Sequence, residues 1–468
     1  MTALKTSRKY DIIILVIAAM LFFVALKVHQ YNSYDLKGEI SDYETVLWNS
    51  LEGNPLQMKC TRMSFFSEHF SPVLFVFLPA YALFKSPLIL LILHGMICAL
   101  ALIPLYYLTA DFTKLRWPPI AMCLAFIFAG IVNKGLFYDF KPEMLYPLLF
   151  FCAFLAFRKE KWAVYYLVLL LCASVKEDAF IAIAGLGLFQ IFSLKRTAKL
   201  HGAVTALFAF IGLICVMQYV MPFFRFETAG SEYKFAGYWG GYGTTRDEIL
   251  LNFLNPLAHI RVIFTPDKIS SMLNLFLDFA FLPFACWQGL IFLVLPNWFI
   301  LFSSNIESLN SVSIYYGLLI APFLFFATIL GIDRISRKWQ RHCKIIFISL
   351  SSLVLITQFC DSRLFKTFNI SYWKVPDRIK TANEIIRAIP RGSMVSAQVN
   401  LISHTPPHPL RSNFPNSTDN ADYIFLDKHG DKWPLPDKEY EKHLSGYLNS
   451  PEWEIKIEKD DYLLLKRK

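Results

Sequence analysis

Charge is scarce in this chain: only 18% of its 468 residues are Asp, Glu, Lys or Arg, against about 25% in an ordinary soluble domain. Neither CxxC pairs nor zinc-ligand spacings occur. There are nine cysteines, but Cys98, Cys123, Cys152, Cys172, Cys215 and Cys286 lie in apolar stretches and read as small core residues. Only Cys60 stands in a clearly polar segment, so a disulfide framework is not expected. Gly237, Gly240, Gly241 and Gly243 lack the spacing of a phosphate loop and suggest a flexible loop or lid. His404 and His408 have no metal constellation around them. No internal repeat is visible, and charges gather at the ends of apolar runs, which argues against a transporter built from paired halves. No small-residue cleavage site follows the first apolar run, so that run is expected to be retained.

What the chain has in abundance is apolar surface. Hydrophobic residues make up 55% and Phe alone contributes 44, with a mean hydropathy of +0.42. One water-soluble core does not hide so much, and lipid is its natural solvent. The net charge of +10 needs no nucleic-acid partner, because the basic residues gather in short loops that would face the cytoplasm.

Residues 11–28 form a first span after Lys5, Arg8 and Lys9, which places the N-terminus in the cytoplasm. A polar stretch, 29–70, is the first external loop. The apolar run 71–84 is too short to cross and reads as an interfacial helix. Further spans follow at 86–109, 118–133, 145–157, 162–175, 179–193 and 202–222, then an external loop at 223–271. Two helices at about 272–304 form a hairpin, and spans at 314–331 and 344–360 complete the set. The total is about eleven crossings. The clusters Lys114/Arg116, Arg158/Lys159/Lys161, Lys195/Arg196/Lys199 and Arg334/Arg337/Lys338/Arg341 then all fall on the cytoplasmic side. The expected fold is an all-α polytopic membrane domain, 1–360, followed by a small external α/β domain, 361–468. The tail's signals are an amphipathic helix (Ile379, Ala382, Ile385, Ile386, Ile389) and the strand-like VSAQV and YIFLD.

The acidic residues of the membrane part fall mostly on the external side, in Glu39/Asp42/Glu44, Glu68-His69, Asp139/Lys141/Glu143 and Lys176-Glu177-Asp178. Charges beside spans are costly and mark function. Gathered together, these carboxylates could serve as a general base, metal ligands or ion-pair partners, and Lys141 or Lys176 could neutralise a phosphate. Tyr315 and Tyr316 fit an aromatic belt at the membrane surface.

In order, GEISDYETVLWNSLEGNP, EHFSPVLFVFLPAYALF, DFKPEMLYPLLFF and LLLCASVKEDAFIAIAGLGLF resemble the GT-C class of lipid-phosphate-sugar-dependent glycosyltransferases. More narrowly, with VSAQVNLISH in the tail, the pattern is similar to a bacterial family of predicted polytopic membrane proteins grouped with that class. The resemblance covers most of residues 35–430. It implies a transferase that moves a sugar from a polyprenyl-phosphate donor to a glycan, lipid or protein acceptor at the external face of a bacterial inner membrane. Counting back from Trp48 and Gly53 puts Glu39 at the class's catalytic acid, where Asp is usual, and leaves Asp35 or Asp42 as alternatives of register. Glu39, Asp42 and Asp139 are thus the candidate catalytic residues. Glu44, Glu68, His69, Lys141, Glu143, Lys176, Glu177 and Asp178 are the candidate substrate-binding ones. Lys141 stands where the family has His, which turns a potential metal ligand into a fixed cation. A divalent metal stays open, and no other cofactor is implied. The readings weighed against transfer are a transporter or flippase and a non-catalytic assembly protein.

Overall fold

The computed structural model describes residues 2–58, 63–192, 195–224, 236–416 and 418–468. Cys60 and the first part of the glycine-containing loop lie outside the described residues. Each apolar run named above contains helix. Helix α1 is Thr2–Asn32, α2 Ile40–Leu51, α3 Leu74–Phe84 and α4 the continuous stretch Pro87–Ala110. Helices α5, Trp117–Phe128, and α6, Gly130–Leu136, are bent by 50° at Ala129. Helix α7 is Leu145–Arg158, α8 Trp162–Ala173, α9 Ala179–Ile191 and α10 Arg196–Phe223.

The stretch expected as a plain loop followed by a hairpin is built differently. It carries three short helices, α11 (Arg246–Phe253), α12 (Pro256–Ile263) and α13 (Pro266–Leu277), before α14 (Gly289–Ser303). Local signals explain each start. Thr245 and Glu248 form a reciprocal capping box, Asn255 caps α12, and Pro256 and Pro266 occupy first-turn positions. Helix α15, Gly317–Lys338, is the most deeply buried of the long helices and packs on α7, while α16, Cys343–Cys360, packs on α5.

Among the described residues five helices are long and apolar enough to cross a membrane, six if the bent α5–α6 pair is one span. The remaining runs are helical but short. Twelve residues of helix extend about 18 Å, less than the roughly 30 Å of a hydrocarbon core. The expectation of about eleven crossings is therefore met by length in only five or six among the described residues. Hydropathy located the apolar helices, but runs such as 162–175 and 179–193, separated by Lys176-Glu177-Asp178, form helices too short to cross alone.

Close approach of α9 and α10 depends on glycine. A side chain on Gly187 would meet the Ala206 amide at 2.6 Å, and one on Gly202 would meet the Gly187 carbonyl at 2.7 Å. Small residues let helices pack closely where the hydrophobic effect between them is weak.

The tail contains a five-stranded sheet in the order β2-β1-β3-β5-β4, with β1 Val395–Ala397, β2 Ser412–Asn413, β3 Tyr423–Asp427, β4 Trp453–Lys459 and β5 Tyr462–Arg467. Strand β1 is parallel to β2 and β3, whereas β5 is antiparallel to β3 and β4. Helix α17, Arg378–Arg387, buries Ile379, Ala382 and Ile385 on one face of the sheet. Helix α18, Asp437–Leu448, buries Tyr440 and Leu444 on the other. Covered on both sides, β3 is buried along its whole length, with an apolar run Tyr423–Leu426 that ends at Asp427. Tyr34, at the end of α1, enters the core on the α17 side. Its ring stacks on His404 with centroids 3.7 Å apart, so the sheet is seated on the membrane part rather than tethered to it.

Candidate functional site

The site begins with polar groups buried at the end of α1. Lys27 donates to the Tyr138 carbonyl and Gln30 to the Phe137 carbonyl at 2.8 Å, which fixes the turn after α6. From that turn Asp139, 1% exposed, accepts hydrogen bonds from the backbone amides of Lys37 (2.8 Å) and Ile40 (3.2 Å). The carboxylate thus satisfies amides at the entry to α2, as an N-terminal cap does. Both of its oxygens are engaged by the backbone, so its geometry is that of a positioning group.

This clamp places Glu39 against the second loop. The Tyr138 hydroxyl donates to Glu39 Oε1 at 2.6 Å, and Lys141 forms an ion pair with Oε2. Lys141 is itself buried, with its ammonium 4.2 Å from the Tyr315 ring centre, 5.4 Å from that of Tyr43 and 5.9 Å from that of Tyr138. Ring faces attract a cation, more so when water is excluded. Beside this pair, Lys176 reaches Glu143 at 3.2 Å and Asp178 at 3.8 Å. Tyr146 donates to Asp178. Glu177 turns the other way, accepting from the Phe70 amide at 2.9 Å and meeting His69 Nδ1 at 2.9 Å. That contact, with Ser71 bonded to the Val175 carbonyl at 2.8 Å, sews the first loop to the α8–α9 turn.

Burial and neighbouring charge set the protonation states. Burial would raise the Glu39 carboxyl, but Lys141 and Tyr138 outweigh it and hold the group below its ordinary value. Burial would lower the Lys141 ammonium, yet Tyr43, Glu39 and Glu143 raise it. Lys176 is raised in the same way, its burial overcome by Glu143 and Asp178. Asp178 is pushed up to about 6 by burial despite Lys176. Glu177 is brought down to about 2, because His69 overcomes its burial. For Asp139 burial prevails over the two amides, and the carboxyl is raised.

The structure therefore brings together Glu39, Lys141, Glu143, Lys176 and Asp178, with His69 and Glu177 at the margin. Glu44 points elsewhere, into a buried ion pair with Arg411 and a 3.2 Å hydrogen bond from Tyr81. Asp42 and Glu68 are half-buried and each is engaged by another group. The assignment of Tyr315 to a membrane-surface belt is corrected: it is 7% exposed and covers Lys141. Tyr43, Tyr138, Tyr146 and Arg411 also belong to the site or its supports. The spacing of these tyrosines carried no signal, because three loops bring them together. Among the described residues, no group of three or more His, Cys, Asp and Glu side chains is arranged to hold a metal ion. The cations at the heart of the cluster are the two lysines. Clefts of about 600 and 550 Å3 lie away from it, one beside Lys134 and Asp361 and one beside Arg158 and Trp162.

The family model described as "Predicted membrane protein (DUF2079)" matches residues 25–464. The chain belongs to this family. As a DUF2079 member with several long apolar helices, it is an integral membrane protein. No curated protein matches it in sequence. Among solved structures it is similar to ArnT from Cupriavidus metallidurans bound to undecaprenyl phosphate, with a TM-score of 0.51, 10% identity and 97% of each chain covered. The apo state of that protein gives 0.51, 11% identity and the same coverage. The Archaeoglobus fulgidus oligosaccharyltransferase, in a complex with zinc and sulfate, gives 0.44 at 12% identity, covering 88% of this chain and 68% of the other. The DUF2079 chain thus has a GT-C-like fold.

Proposed function

We propose that this protein is a membrane glycosyltransferase that moves a sugar from a polyprenyl-phosphate carrier to an acceptor at the external face of a bacterial inner membrane. The N-terminus would be cytoplasmic, the sheet domain external, and the short helices would complete about eleven membrane segments in pairs. The observation that carries the reading is the Glu39–Lys141 pair, enclosed by Tyr43, Tyr138 and Tyr315. It sits in a fold like that of ArnT, whose structure holds undecaprenyl phosphate. The carrier's tail would lie among the helices and its headgroup beside the lysines.

The pair suggests how the two halves of the reaction are coupled. An acceptor hydroxyl or amine attacks the anomeric carbon, forming the new glycosidic bond as the bond from that carbon to the phosphate oxygen breaks. Glu39 accepts the proton released by the acceptor. On neutralisation it loses its hold on Lys141, whose charge becomes available to the departing polyprenyl phosphate. Lys176 supplies a second charge already fixed in place, and such preorganisation is where electrostatic catalysis is strongest. Asp139 keeps Glu39 in register through the Lys37 and Ile40 amides.

The test compares surface glycans and lipid-linked sugars by mass spectrometry in three strains: a deletion strain, one with the wild-type protein restored, and one carrying Glu39→Gln at matched expression. Loss of one sugar from a glycan, with its lipid carrier accumulating in both defective strains, is expected and identifies donor and acceptor together. Unchanged glycans in all three strains would overturn the reading.

A further inference from the structure

Beyond the last apolar helix the chain does not pass at once into the sheet domain. Between Cys360, where α16 ends, and Arg378, where α17 begins, run two short 3-10 turns, Arg363–Phe368 and Ile370–Trp373. Residues three apart share a face in a 3-10 helix. Leu364 and Thr367 are accordingly buried together, while Phe365, Phe368 and Ile370 expose 40%, 62% and 81% of their surface.

These exposed side chains continue the lipid-facing surface of α16. On that helix Ile345, Leu353, Ile356 and Phe359 are exposed. Phe359 meets Phe365 with ring centres 4.8 Å apart, and Phe365 meets Phe368 at 5.8 Å. One unbroken apolar ridge therefore runs from the apolar helix onto the turns.

The depth of the segment is set by α1. The Trp373 indole packs on His29 at 5.2 Å and on Phe22 at 6.4 Å. Those two residues are two turns apart, so the indole is level with the turn between them, about 10 Å before the helix ends at Asn32. The apolar stretch of α1, Lys9–Asn32, has 24 residues and is about 36 Å long, against roughly 30 Å for a hydrocarbon core. Trp373 therefore stands at the hydrocarbon edge, where amphipathic rings are favoured.

Polar groups of the segment are satisfied from within, as that setting requires. Trp373 Nε1 donates to the Thr367 carbonyl at 2.7 Å, Thr367 Oγ1 to the Leu364 carbonyl at 2.6 Å, and the Ser371 amide to Asn369 Oδ1 at 3.0 Å. Its exposed cations, Arg363, Lys366 and Lys374, outnumber the exposed acids Asp361 and Asp377. Long basic side chains at this level carry their charge to the headgroups.

We propose that residues 363–375 form a membrane foot of the sheet domain. Phe365, Phe368 and Ile370 insert at the hydrocarbon edge of the leaflet at this end of the bundle, and Arg363, Lys366 and Lys374 meet its phosphates. The partner is the lipid surface, because the ridge continues a face that lipid already covers. The foot is independent of the transfer reaction and stands whether or not Glu39 is catalytic.

The full-length protein is reconstituted into liposomes of phosphatidylethanolamine and phosphatidylglycerol with the photocrosslinker p-benzoylphenylalanine in place of Phe368 or Ile370. The control carries it in place of Ile455, which is 52% exposed on β4. After irradiation, phospholipid adducts identified by mass spectrometry are expected at 368 and 370 and not at 455. Crosslinked dimers instead of lipid adducts would show that a second copy covers the ridge and would overturn the proposal. Absence of adducts, or equal lipid labelling at 455, would overturn it too. Hydroxyl-radical footprinting of the unsubstituted protein in the same liposomes needs no variant. Corrected for intrinsic reactivity, Phe368 should be oxidised severalfold less than Trp433, which is 58% exposed in the tail. Equal oxidation would place the ridge in water and overturn the proposal.

Discussion

Arg411 and Glu44, 367 positions apart, form an ion pair in which the two side chains are 0% and 2% exposed. The guanidinium also approaches the Ser41 carbonyl at 3.3 Å, Thr45 Oγ1 at 3.4 Å and, within the tail, the Thr405 carbonyl at 3.4 Å. It locks the sheet domain onto α2, the helix that Glu39 opens. Asp139 holds the same loop from the membrane side. Glu39 is therefore positioned from two directions by groups that need not touch substrate. Burial raises the Glu44 carboxyl even with Arg411 and Tyr81 beside it, so the pair depends on both partners being present.

Removing one partner should cost far more than removing both. Arg411→Met or Glu44→Leu alone leaves an uncompensated buried charge and should destabilise the protein by about 3–5 kcal/mol. The double substitution should recover a large part of that loss. Thermal unfolding in detergent, with trypsin sensitivity of the tail, measures both. Additive losses would show that the pair is not coupled.

Catalysis is expected to respond differently at the two members of the central pair. Glu39→Gln should lower transfer by about 10²–10⁴-fold as a lost base, with Glu39→Asp retaining part of the rate. Lys141→Met should lower it by about 10²–10³-fold as a lost charge-stabilising group. These ratios are measured with the lipid-linked sugar identified in the strain comparison. Wild-type rates in both Glu39→Gln and Lys141→Met would remove the pair from the mechanism.

The neighbouring acids should give stability opposite pH dependences. Glu177 lies at about 2 in the folded protein against a usual 4.5. Its contribution is therefore complete above about pH 4.5 and is lost as pH falls towards 2. Asp178 lies at about 6 against 3.8. Its native protonation favours the fold below about pH 4, and that advantage is lost as pH rises through 6. Melting temperature against pH should lose its acid limb in Glu177→Gln and its limb between about 4 and 6 in Asp178→Asn. Unchanged profiles in both variants would contradict these assignments.

Helix packing offers a test separate from the site. Gly202→Val should destabilise the α9–α10 contact by about 1–3 kcal/mol through overpacking. Gly446, inside α18, has open space where a β-carbon would stand, with nothing within 4 Å, so Gly446→Ala should stabilise that helix by at most about 1 kcal/mol. Melting of the two variants side by side checks the contrast.

The sequence by itself determined where the apolar helices form, because apolar runs in lipid must satisfy their backbone internally, but it did not show α2, α11 or α12, which lie in stretches read as loops. It also determined that α17, VSA and YIFLD fold as an amphipathic helix and strands, since their periodicities are local. Glu39, Lys141, Glu143, Lys176 and Asp178 were identifiable because charges beside apolar runs stand out. What each charge does was decided only by the tertiary structure. Asp139 and Glu39 are both acids in polar loops, yet one grips two backbone amides and the other meets a lysine. Tyr315 looked like a surface aromatic until its loop folded over Lys141. Arg411 sits in a polar tail with no motif around it, and its burial arises only when the sheet docks on α2. Hydropathy and spacing are properties of neighbouring residues, whereas hydrogen bonds and ion pairs here join loops separated by up to hundreds of positions.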